Sequence, residues 1–503
     1  MQIANLWSCV RKQNVLAAFV LAALISLVFS APIVRADAAS PTVTAAVGLP
    51  GVGAPSGTTF DLSAVGYQAA EFFLSGNASS YQPVAGTPFL ADGAWSIEAD
   101  AAQQPYKTRI QVYRPANPKR FNGTVFVEWL NATNQSDSMP DWLYAHNEII
   151  RRGAIYVGVT AQRVSVAAAV TREPARYGPA AANLVHPGDS YAYDIFSQAG
   201  EAVRDNPTLL LGPKPARDVI AAGESQSASR MVSYVNAVHP LVNVFDGFLV
   251  HSRGSTGSAL RQTPLVAIAT PGPTRIRADL GVPVFVFQAE TDTRATRQPD
   301  TAVFRQWEVA GTAHADIYVL GIGQPDMGRN STAAQQLFDA MRNPVAEPLP
   351  GVLPACNLGV NSGPHHWVLQ AAVRHLERWV RYGVLPPSGG AGIDEPLVLD
   401  TNGNVTGGIR TPHVDVPVGD PRHGQFGAGA LQLLRALRHD DCAHPRAARC
   451  PLPQPRRVRL GLARIDVSCR SAGIPLVRGC SLPDPPGRVL RHRPIARGFI
   501  RAK

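Results

Sequence analysis

Apolar and polar positions along the middle of the chain follow two alternating periods. Residues 106–113 alternate one by one, as a half-buried strand does, and the mostly apolar run at 124–130 is typical of a buried strand. Residues 141–152 have the spacing of a helix, and residues 154–159 again favour a strand. This alternation predicts an α/β fold with a mostly parallel sheet that is covered by helices on both faces.

The same alternation continues through the second half of the chain. The further predicted elements are strands at 218–222, 244–250, 284–287 and 307–309 and helices at 228–238 and 366–382. Catalytic groups in sheets of this kind lie at the carboxyl ends of the strands. The loops that follow the strands are therefore the places where chemistry is expected.

Three stretches are less regular and too long to be simple connections, namely 160–215, 253–282 and 319–364. We interpret them as excursions over the site that form a lid or a substrate pocket. Residues 39–60 are rich in Gly, Pro, Ala and Thr and are predicted to be a linker. The catalytic domain is accordingly expected to span residues 61–418.

The pentapeptide GESQS at 223–227 lies between a predicted strand and a predicted helix. A serine at a tight strand-to-helix turn, with small residues two positions away on each side, is the arrangement of a nucleophile elbow. Small side chains at Gly223 and Ser227 let the two backbones approach closely, and the turn holds the serine in a strained conformation. We therefore predict that Ser225 is a nucleophile.

A serine hydroxyl becomes a good nucleophile when a histidine removes its proton and an acid orients that histidine. In this fold the three residues follow one another along the chain as serine, acid and histidine. The strand at 284–287 leads into two carboxylates, Glu290 and Asp292. Asp292 is the preferred acid because it lies further into the loop, and Glu290 is the alternative.

The histidine is expected after the next strand. Residues 307–309 lead into His314, which is the preferred base because it lies just past a strand end and downstream of the acid. His365 and His366 are the alternative bases. For these two we favour an interpretation as residues of a helix N-terminus or of a pocket lining.

A tetrahedral oxyanion needs two preorganised backbone N–H donors. One is predicted at Gln226, which follows the nucleophile at the start of a helix. The other is predicted in the loop after strand 124–130, at Leu130 or Asn131. His251 and Arg253, in the loop after strand 244–250, are candidates for the substrate pocket, although we favour their interpretation as a hydrogen-bonded pair within the loop.

Several segments together resemble a known family. They are FNGTVFVEWLN, PDWLYAHNEIIRRGAIYVGVTAQ, GESQSASRM, DGFLVHSRG, QAETD, WEVAGTAHAD, GPHHWVLQAAVRHLERWVRYG and GGIRTPHVDVPV. The chain is similar to the α/β-hydrolase fold and, more narrowly, to exported bacterial proteins of the "α/β hydrolase domain" group, over about residues 60–418. The resemblance implies a serine hydrolase that uses Ser225, an acid in QAETD and His314. Ser227 stands where glycine is usual, but serine is also small.

The net charge of +10 is concentrated in one part of the chain. In residues 419–503, sixteen Arg and one Lys stand against five Asp and no Glu, so this tail carries +12 and residues 1–418 carry −2. The tail is rich in Arg and Pro and shows no apolar period, which predicts disorder. A shifted reading frame in place of the native C-terminus is the alternative. In either case the basic charge does not describe the substrate, and we expect no nucleic-acid partner.

The N-terminus has the pattern of an export signal. Arg11 and Lys12 precede an apolar stretch at about 15–34, and Ala36-Asp37-Ala38 offers a cleavage site. Residues 1–38 are therefore predicted to be a signal peptide, and the mature protein to be periplasmic or secreted. An uncleaved signal would instead act as a membrane anchor. No later segment is apolar enough to cross a membrane.

The motifs of metal and nucleotide chemistry do not occur: there is no HExxH, no GxxxxGK and no GxGxxG. We expect no metal and no cofactor. The sequence predicts an exported serine hydrolase that cleaves a small-molecule carboxylic ester through an acyl-enzyme. An amidase, a peptidase or an acyltransferase would use the same residues, and a binding protein on the same fold is the non-catalytic alternative.

Overall fold

The computed structural model describes residues 38–46, 51–55, 57–293, 297–329, 331–343, 359–394, 396–401 and 404–416. The predicted signal peptide before Ala38 and the basic tail at 419–503 lie outside the described residues, and both stay predictions. All of the described residues belong to one unit that begins at Ala38.

One sheet of nine strands forms the centre of this unit. The strands are β1 (Thr42–Ala45), β2 (Tyr67–Pro83), β3 (Ile97–Pro115), β4 (Thr124–Trp129), β5 (Ile155–Val159), β6 (Asp218–Glu224), β7 (Gly247–His251), β8 (Val284–Ala289) and β9 (Phe304–Val309). Their order across the sheet is β1-β2-β3-β5-β4-β6-β7-β8-β9. Six neighbouring strands, β5, β4, β6, β7, β8 and β9, run parallel to one another. The strands β1, β2 and β3 pair antiparallel at one edge, and β3 joins β5 in antiparallel pairing.

The helices come between and after the strands. They are α1 (Pro140–Arg152), α2 (Arg163–Arg172), α3 (Pro174–Tyr177), α4 (Ala192–Asp205), α5 (Pro207–Leu210), α6 (Gln226–Ser233), α7 (His239–Val242), α8 (Ser331–Arg342), α9 (His365–Tyr382) and α10 (Pro412–Asp415). Short π-helical turns lie at Tyr234–Val238 and Tyr318–Ile322, and 3-10 turns at Leu62–Val65, Pro118–Arg120 and Glu290–Asp292.

Helix α1 illustrates how the local sequence sets an element's limits. Pro140 occupies the first helical position, where its missing N–H costs no hydrogen bond. Asp141 lies in the first turn and Arg151 and Arg152 lie in the last, which matches the helix dipole at both ends. Gly153, with φ 73°, ends the helix in the left-handed conformation that favours glycine.

Two helical layers cover the sheet because side chains alternate along each buried strand. Val127 of β4 points into a core that includes Phe196 of α4 and Val232 of α6. Phe126, the preceding residue, lies in a second core on the other face with Trp142 of α1 and Leu369 of α9. All six positions of β4 are buried, as expected for a central parallel strand.

The order of the strands in the sheet determines where the candidate site lies. The chain proceeds from β4 to β5 on one side of β4 and then places β6 on the other side. At such a reversal the connections leave the sheet in opposite directions and open a crevice at the carboxyl ends of the strands. Leu130 and Asn131 follow β4 at this crevice, and Ser225 follows β6.

The predicted α/β class, with a mostly parallel sheet and helices on both faces, is confirmed. The long antiparallel hairpin of β2 and β3 is predicted only at 106–113. The outer part of β3, around 98–105, is largely exposed and polar, so it has no apolar period. The linker interpretation of 39–60 is wrong in part, since Thr42–Ala45 is a strand paired with β2.

The interpretation of 160–215 as a lid is also wrong in part. Helix α4 lies within this stretch and is buried over almost its whole length. Its Phe196 ring packs against the Trp129 ring, with 4.9 Å between the ring centroids. This helix is therefore a layer of the core and not a cover over the site. Among the described helices, none is both long and apolar enough for a membrane span.

Candidate active site

Ser225 lies at a strained turn between β6 and α6. Its backbone has φ 58° and ψ −114°, a conformation that residues with a side chain rarely adopt. The turn is held by the Ser225 N–H, which donates to the His251 carbonyl at 2.9 Å. The surrounding sheet and helix hold Ser225 in this unfavourable conformation. The turn projects its side chain from the carboxyl end of β6.

Small residues flank the turn because β6 and α6 approach each other closely there. A Cβ atom added to Gly223 would lie 2.9 Å from both Met231 Cγ and the Ser227 carbonyl oxygen. Ser227 itself is fully buried, and its Oγ donates to the Leu130 carbonyl oxygen at 3.3 Å. The serine that replaces the usual glycine is thus accommodated, and it links the elbow to the loop after β4.

The structure brings Ser225, His314 and Asp292 together. Ser225 Oγ lies 2.7 Å from His314 Nε2, and His314 Nδ1 lies 2.9 Å from Asp292 Oδ1. Asp292 belongs to the 3-10 turn that follows β8, and the backbone N–H of His314 donates to Thr291 Oγ1 at 2.9 Å. A serine, a histidine and an acid bonded in this order have the geometry of nucleophile, base and orienting acid.

The electrostatics of the three residues favour a charged imidazole. Burial by itself disfavours the imidazolium form, but the carboxylates of Asp292 and Glu224 outweigh it and raise the pKa of His314 to about 10. Burial also opposes ionisation of Asp292, yet His314 holds the pKa of this carboxyl below its usual value. The side chain of His314 is 22% exposed, so the imidazole is in part open to solvent.

Glu224 is a site residue that the sequence reasoning does not identify. Its Oε1 lies 3.4 Å from His314 Nε2, the same ring atom that faces Ser225. Its Oε2 accepts a hydrogen bond of 3.1 Å from Asn131 Nδ2. Burial raises the pKa of Glu224 to about 8. Its position directly before Ser225 is the sequence signal that could have identified it.

Glu290, the alternative acid, does not contact His314 among the described interactions. Its Oε2 accepts from the Gly311 N–H at 2.7 Å, and burial raises its pKa to about 7. Gly311 forms the turn after β9, with φ 73°. Glu290 therefore connects the loops that carry Asp292 and His314 and does not orient the imidazole itself.

The alternative bases lie elsewhere in the interior. His365 is fully buried, and its two ring nitrogens bond to His251 Nε2 at 2.7 Å and to the Ala313 carbonyl oxygen at 2.8 Å. The His366 ring stacks on Tyr318, with 3.7 Å between the centroids. Within the described interactions, neither histidine bonds to Ser225.

The predicted oxyanion donors need a correction after β4. The Leu130 N–H donates to the Val159 carbonyl at 3.2 Å, and the Asn131 N–H donates to the Ser138 carbonyl at 3.0 Å. Both groups are thus engaged, because the pairing of β4 with β5 continues one residue further and the loop then closes on itself. In the described part of the chain, the N–H groups of Gln226 and of Ala132 have no acceptor.

The pocket candidates also turn inward. His251 is fully buried and hydrogen-bonded to Asp141, and burial lowers its pKa to about 3. Arg253 is buried and donates to the carbonyl oxygens of Gly254 at 2.9 Å and Thr274 at 2.6 Å. Burial lowers its pKa to about 10. Both side chains are thus buried and bonded within interior loops, so among the described residues neither presents a surface to solvent.

A comparison with protein families finds a match over most of the chain. A family model described as an alpha/beta hydrolase domain matches residues 30–433. A comparison with curated proteins gives no match.

Solved structures with a similar arrangement include esterases. A fungal esterase from Rhizomucor miehei is 13% identical, with 49% of this chain and 77% of that chain covered and a TM-score of 0.26. A glucuronoyl esterase from Solibacter usitatus is 11% identical, with coverages of 52% and 70% and a TM-score of 0.27. A thermostable esterase from Pseudomonas putida is 16% identical, with coverages of 46% and 66% and a TM-score of 0.23. Similarity at this level says nothing about the substrate of this chain or about the role of any of its residues.

Proposed function

The chain belongs to the alpha/beta hydrolase domain family, and from this premise we propose that it is a serine hydrolase that cleaves a carboxylic ester through an acyl-enzyme. Ser225 is the nucleophile, His314 the general base and then acid, and Asp292 the orienting acid. The proposal rests on two hydrogen bonds. Ser225 Oγ lies 2.7 Å from His314 Nε2, and His314 Nδ1 lies 2.9 Å from Asp292 Oδ1.

In the first half-reaction, Ser225 Oγ attacks the ester carbonyl carbon and its proton passes to His314 Nε2. The carbonyl oxygen becomes an oxyanion, for which the N–H groups of Gln226 and Ala132 are the proposed donors. The proton on His314 then moves to the alkoxide oxygen as the carbon–oxygen bond breaks. An alcohol leaves, and the acyl group remains on Ser225.

In the second half-reaction, His314 removes a proton from a water molecule that attacks the acyl carbon. Collapse of this second intermediate returns the proton to Ser225 Oγ and releases the carboxylic acid. Throughout, Asp292 keeps Nδ1 protonated and Nε2 directed at the serine. Glu224, at 3.4 Å from Nε2, stabilises the imidazolium that forms in each half-reaction.

Two carboxylates raise the pKa of His314, so the imidazole is a stronger base but is unprotonated only at higher pH. The same three residues can serve an ester or an amide, and a substrate panel separates the two classes.

We also propose that the enzyme works after export. This rests on the sequence of the first residues, where Arg11 and Lys12 precede an apolar stretch and a small-residue cleavage site at 36–38. Fractionation of the producing cells into cytoplasm, periplasm and medium, followed by N-terminal sequencing of the protein, tests it. Protein in the periplasm or the medium that starts at about residue 39 supports export with cleavage, and protein confined to the cytoplasm contradicts export.

Substrate panels test the reaction class. Nitrophenyl esters and the matched nitroanilides are offered to the wild type and to Ser225→Ala. The proposal expects an initial burst with esters, lost in Ser225→Ala, and much slower release from anilides. Equal or faster anilide cleavage would assign an amidase, and a folded wild type that releases no product from either series would favour a binding protein.

A further inference from the structure

Three buried polar side chains form a hydrogen-bonded chain behind His314. Asp141 Oδ1 lies 2.8 Å from His251 Nδ1, and His251 Nε2 lies 2.7 Å from His365 Nε2. The chain ends where His365 Nδ1 meets the Ala313 carbonyl oxygen at 2.8 Å. These residues come from α1, β7 and α9, and Ala313 directly precedes His314.

The three bonds fix where protons can be. A carbonyl oxygen only accepts, so His365 Nδ1 carries a hydrogen. If His365 is neutral, its Nε2 accepts, and His251 Nε2 must donate to it. His251 Nδ1 then accepts, and the remaining hydrogen belongs to Asp141 Oδ1. Every other placement of these three protons separates charge inside a region that solvent does not reach, which is costly.

We propose that Asp141, His251 and His365 form an electrically neutral chain, with the Asp141 carboxyl as its terminal donor, that positions the Ala313 carbonyl and hence the catalytic loop of His314. The inference rests on the proposed function of His314. All three residues act through Ala313 and do not touch the reacting atoms, so they are positioning residues.

The surroundings of Asp141 agree with a neutral carboxyl. Its second oxygen, Oδ2, has no hydrogen-bond partner among the described residues, which is far more costly for a carboxylate than for a protonated acid. Burial raises the pKa of Asp141 to about 8 and lowers that of His251 to about 3. Burial, and then His251, also hold the pKa of His365 well below its usual value.

The neighbouring carboxyl of Glu128 is also buried, and burial and Asp141 raise its pKa well above its usual value, but its hydrogen bonds differ from those of Asp141. Glu128 accepts three hydrogen bonds, from the backbone N–H groups of Asp141 at 3.1 Å and Trp142 at 3.0 Å and from the Tyr156 hydroxyl at 2.6 Å. Two buried carboxyls this near to each other disfavour ionisation of both. Three donors are thus directed at Glu128, whereas the one described side-chain partner of Asp141 is His251, so Asp141 Oδ1 is the oxygen of the pair that can donate to His251 Nδ1.

Packing keeps the two imidazoles in place. The His365 ring stacks on Tyr144, with 4.1 Å between the centroids and 15° between the planes, and on Phe287 at 5.2 Å. The His251 ring meets the edge of Phe287 at 5.3 Å. Rings held in this way present their nitrogens in fixed directions. The hydrogen-bonded chain of Asp141, His251 and His365 therefore keeps the loop of His314 in one orientation.

The first test compares variants at His365. In His365→Asn, the amide nitrogen takes the place of Nδ1 and can still donate to Ala313, whereas His365→Leu keeps the volume and removes the donor. We expect fluorophosphonate to react with His365→Leu roughly ten- to hundredfold more slowly than with the wild type, and His365→Asn to recover most of the loss. His375→Leu is the matched control, because His375 is also buried on α9 but packs against Trp307, away from this chain.

Folding of each variant is checked by thermal unfolding, so that only folded protein is compared. If His365→Leu reacts as fast as His375→Leu, or if His365→Asn is no better than His365→Leu, the positioning role is wrong. The same comparison of Asp141→Asn, which can donate, with Asp141→Leu, which cannot, is expected to give the same order.

The second test locates the protons in the wild type. Correlation spectra of histidine ring ¹⁵N nuclei and their protons are expected to place a proton on Nδ1 of His365 and on Nε2 of His251, with both rings neutral. A charged ring at either position, or the opposite tautomer, overturns the neutral chain. A wild type that does not react with fluorophosphonate refutes the proposed function, while these spectra still decide the protonation of the chain.

Discussion

Glu224 directs its carboxylate at His314, with 3.4 Å between Oε1 and the ring Nε2 that also faces Ser225 Oγ. The imidazole therefore has a carboxylate at each end, since Asp292 bonds to Nδ1 at 2.9 Å. This arrangement makes the base stronger and places its titration well above the usual histidine range.

The pH dependence of acylation follows from this pair. His314 can accept the serine proton only when it is unprotonated, so kcat/KM for an ester should rise with pH as His314 loses its proton. Glu224→Gln keeps an oxygen for Asn131 but removes one negative charge from the imidazole. We expect the acidic limb of the profile to move to lower pH by about one unit. An unchanged limb in Glu224→Gln would contradict this role.

The strain at Ser225 predicts a stability difference between two inactive variants. Ser225→Ala and Ser225→Gly both lack the hydroxyl, but only glycine adopts φ 58° without a steric cost. We expect Ser225→Gly to exceed Ser225→Ala in free energy of unfolding by about 1 kcal/mol, measured by denaturant titration. A more stable alanine variant would show that the turn is not strained.

The Gly223 position has no room for a side chain. A Cβ at this residue would come within 2.9 Å of the Ser227 carbonyl oxygen, which is backbone and cannot move aside without shifting α6. We expect Gly223→Ala to lower the free energy of unfolding by about 1–3 kcal/mol and to slow acylation. Gly254→Ala is the control, since a Cβ there meets nothing within 4 Å. Equal effects of the two changes would refute the close approach.

The oxyanion donors can be observed directly. In a structure of the enzyme phosphonylated at Ser225, we expect the phosphoryl oxygen to lie about 2.7–3.1 Å from the N–H nitrogens of Gln226 and Ala132. Leu130 and Asn131 should keep their bonds to Val159 and Ser138. A phosphoryl oxygen bound instead by the Leu130 or Asn131 N–H would restore the sequence-based prediction.

A neutral Asp141 predicts how stability changes with pH. Its pKa is raised to about 8 in the folded protein, so between about pH 4 and pH 8 the folded state binds a proton that the unfolded state has lost. Stability from this group is complete at low pH and falls as pH rises. Asp141→Asn has no titrating group at this position. Its free energy of unfolding, relative to that of the wild type, should therefore increase from pH 4 to pH 8. A constant difference would contradict the raised pKa.

The sequence predicts the parts of the site that depend on strand ends. Ser225, Asp292 and His314 each follow a buried strand, and the parallel sheet brings these ends to one edge. Ser225 is also marked by local spacing, because a tight turn between strand and helix requires small residues on both sides. These features are visible without knowing any contact between distant segments.

The features that the sequence does not predict depend on contacts across the fold. The hydrogen bonds of Leu130 and Asn131 follow from how far β4 continues to pair, which no local pattern encodes. His251 and His365 are 114 positions apart and meet only when β7 and α9 pack together. The polar outer part of β3 is a strand because β2 pairs with it, and its own composition would favour a loop.

The site of covalent labelling tests the role of Ser225 as the nucleophile more directly than any other measurement. Folded wild-type protein is treated with a fluorophosphonate, digested, and analysed by mass spectrometry, beside Ser225→Ala and His314→Asn. We expect one adduct, on the peptide that contains Ser225, absent from Ser225→Ala and formed far more slowly in His314→Asn. An adduct on another residue, or labelling that persists in Ser225→Ala, would contradict it.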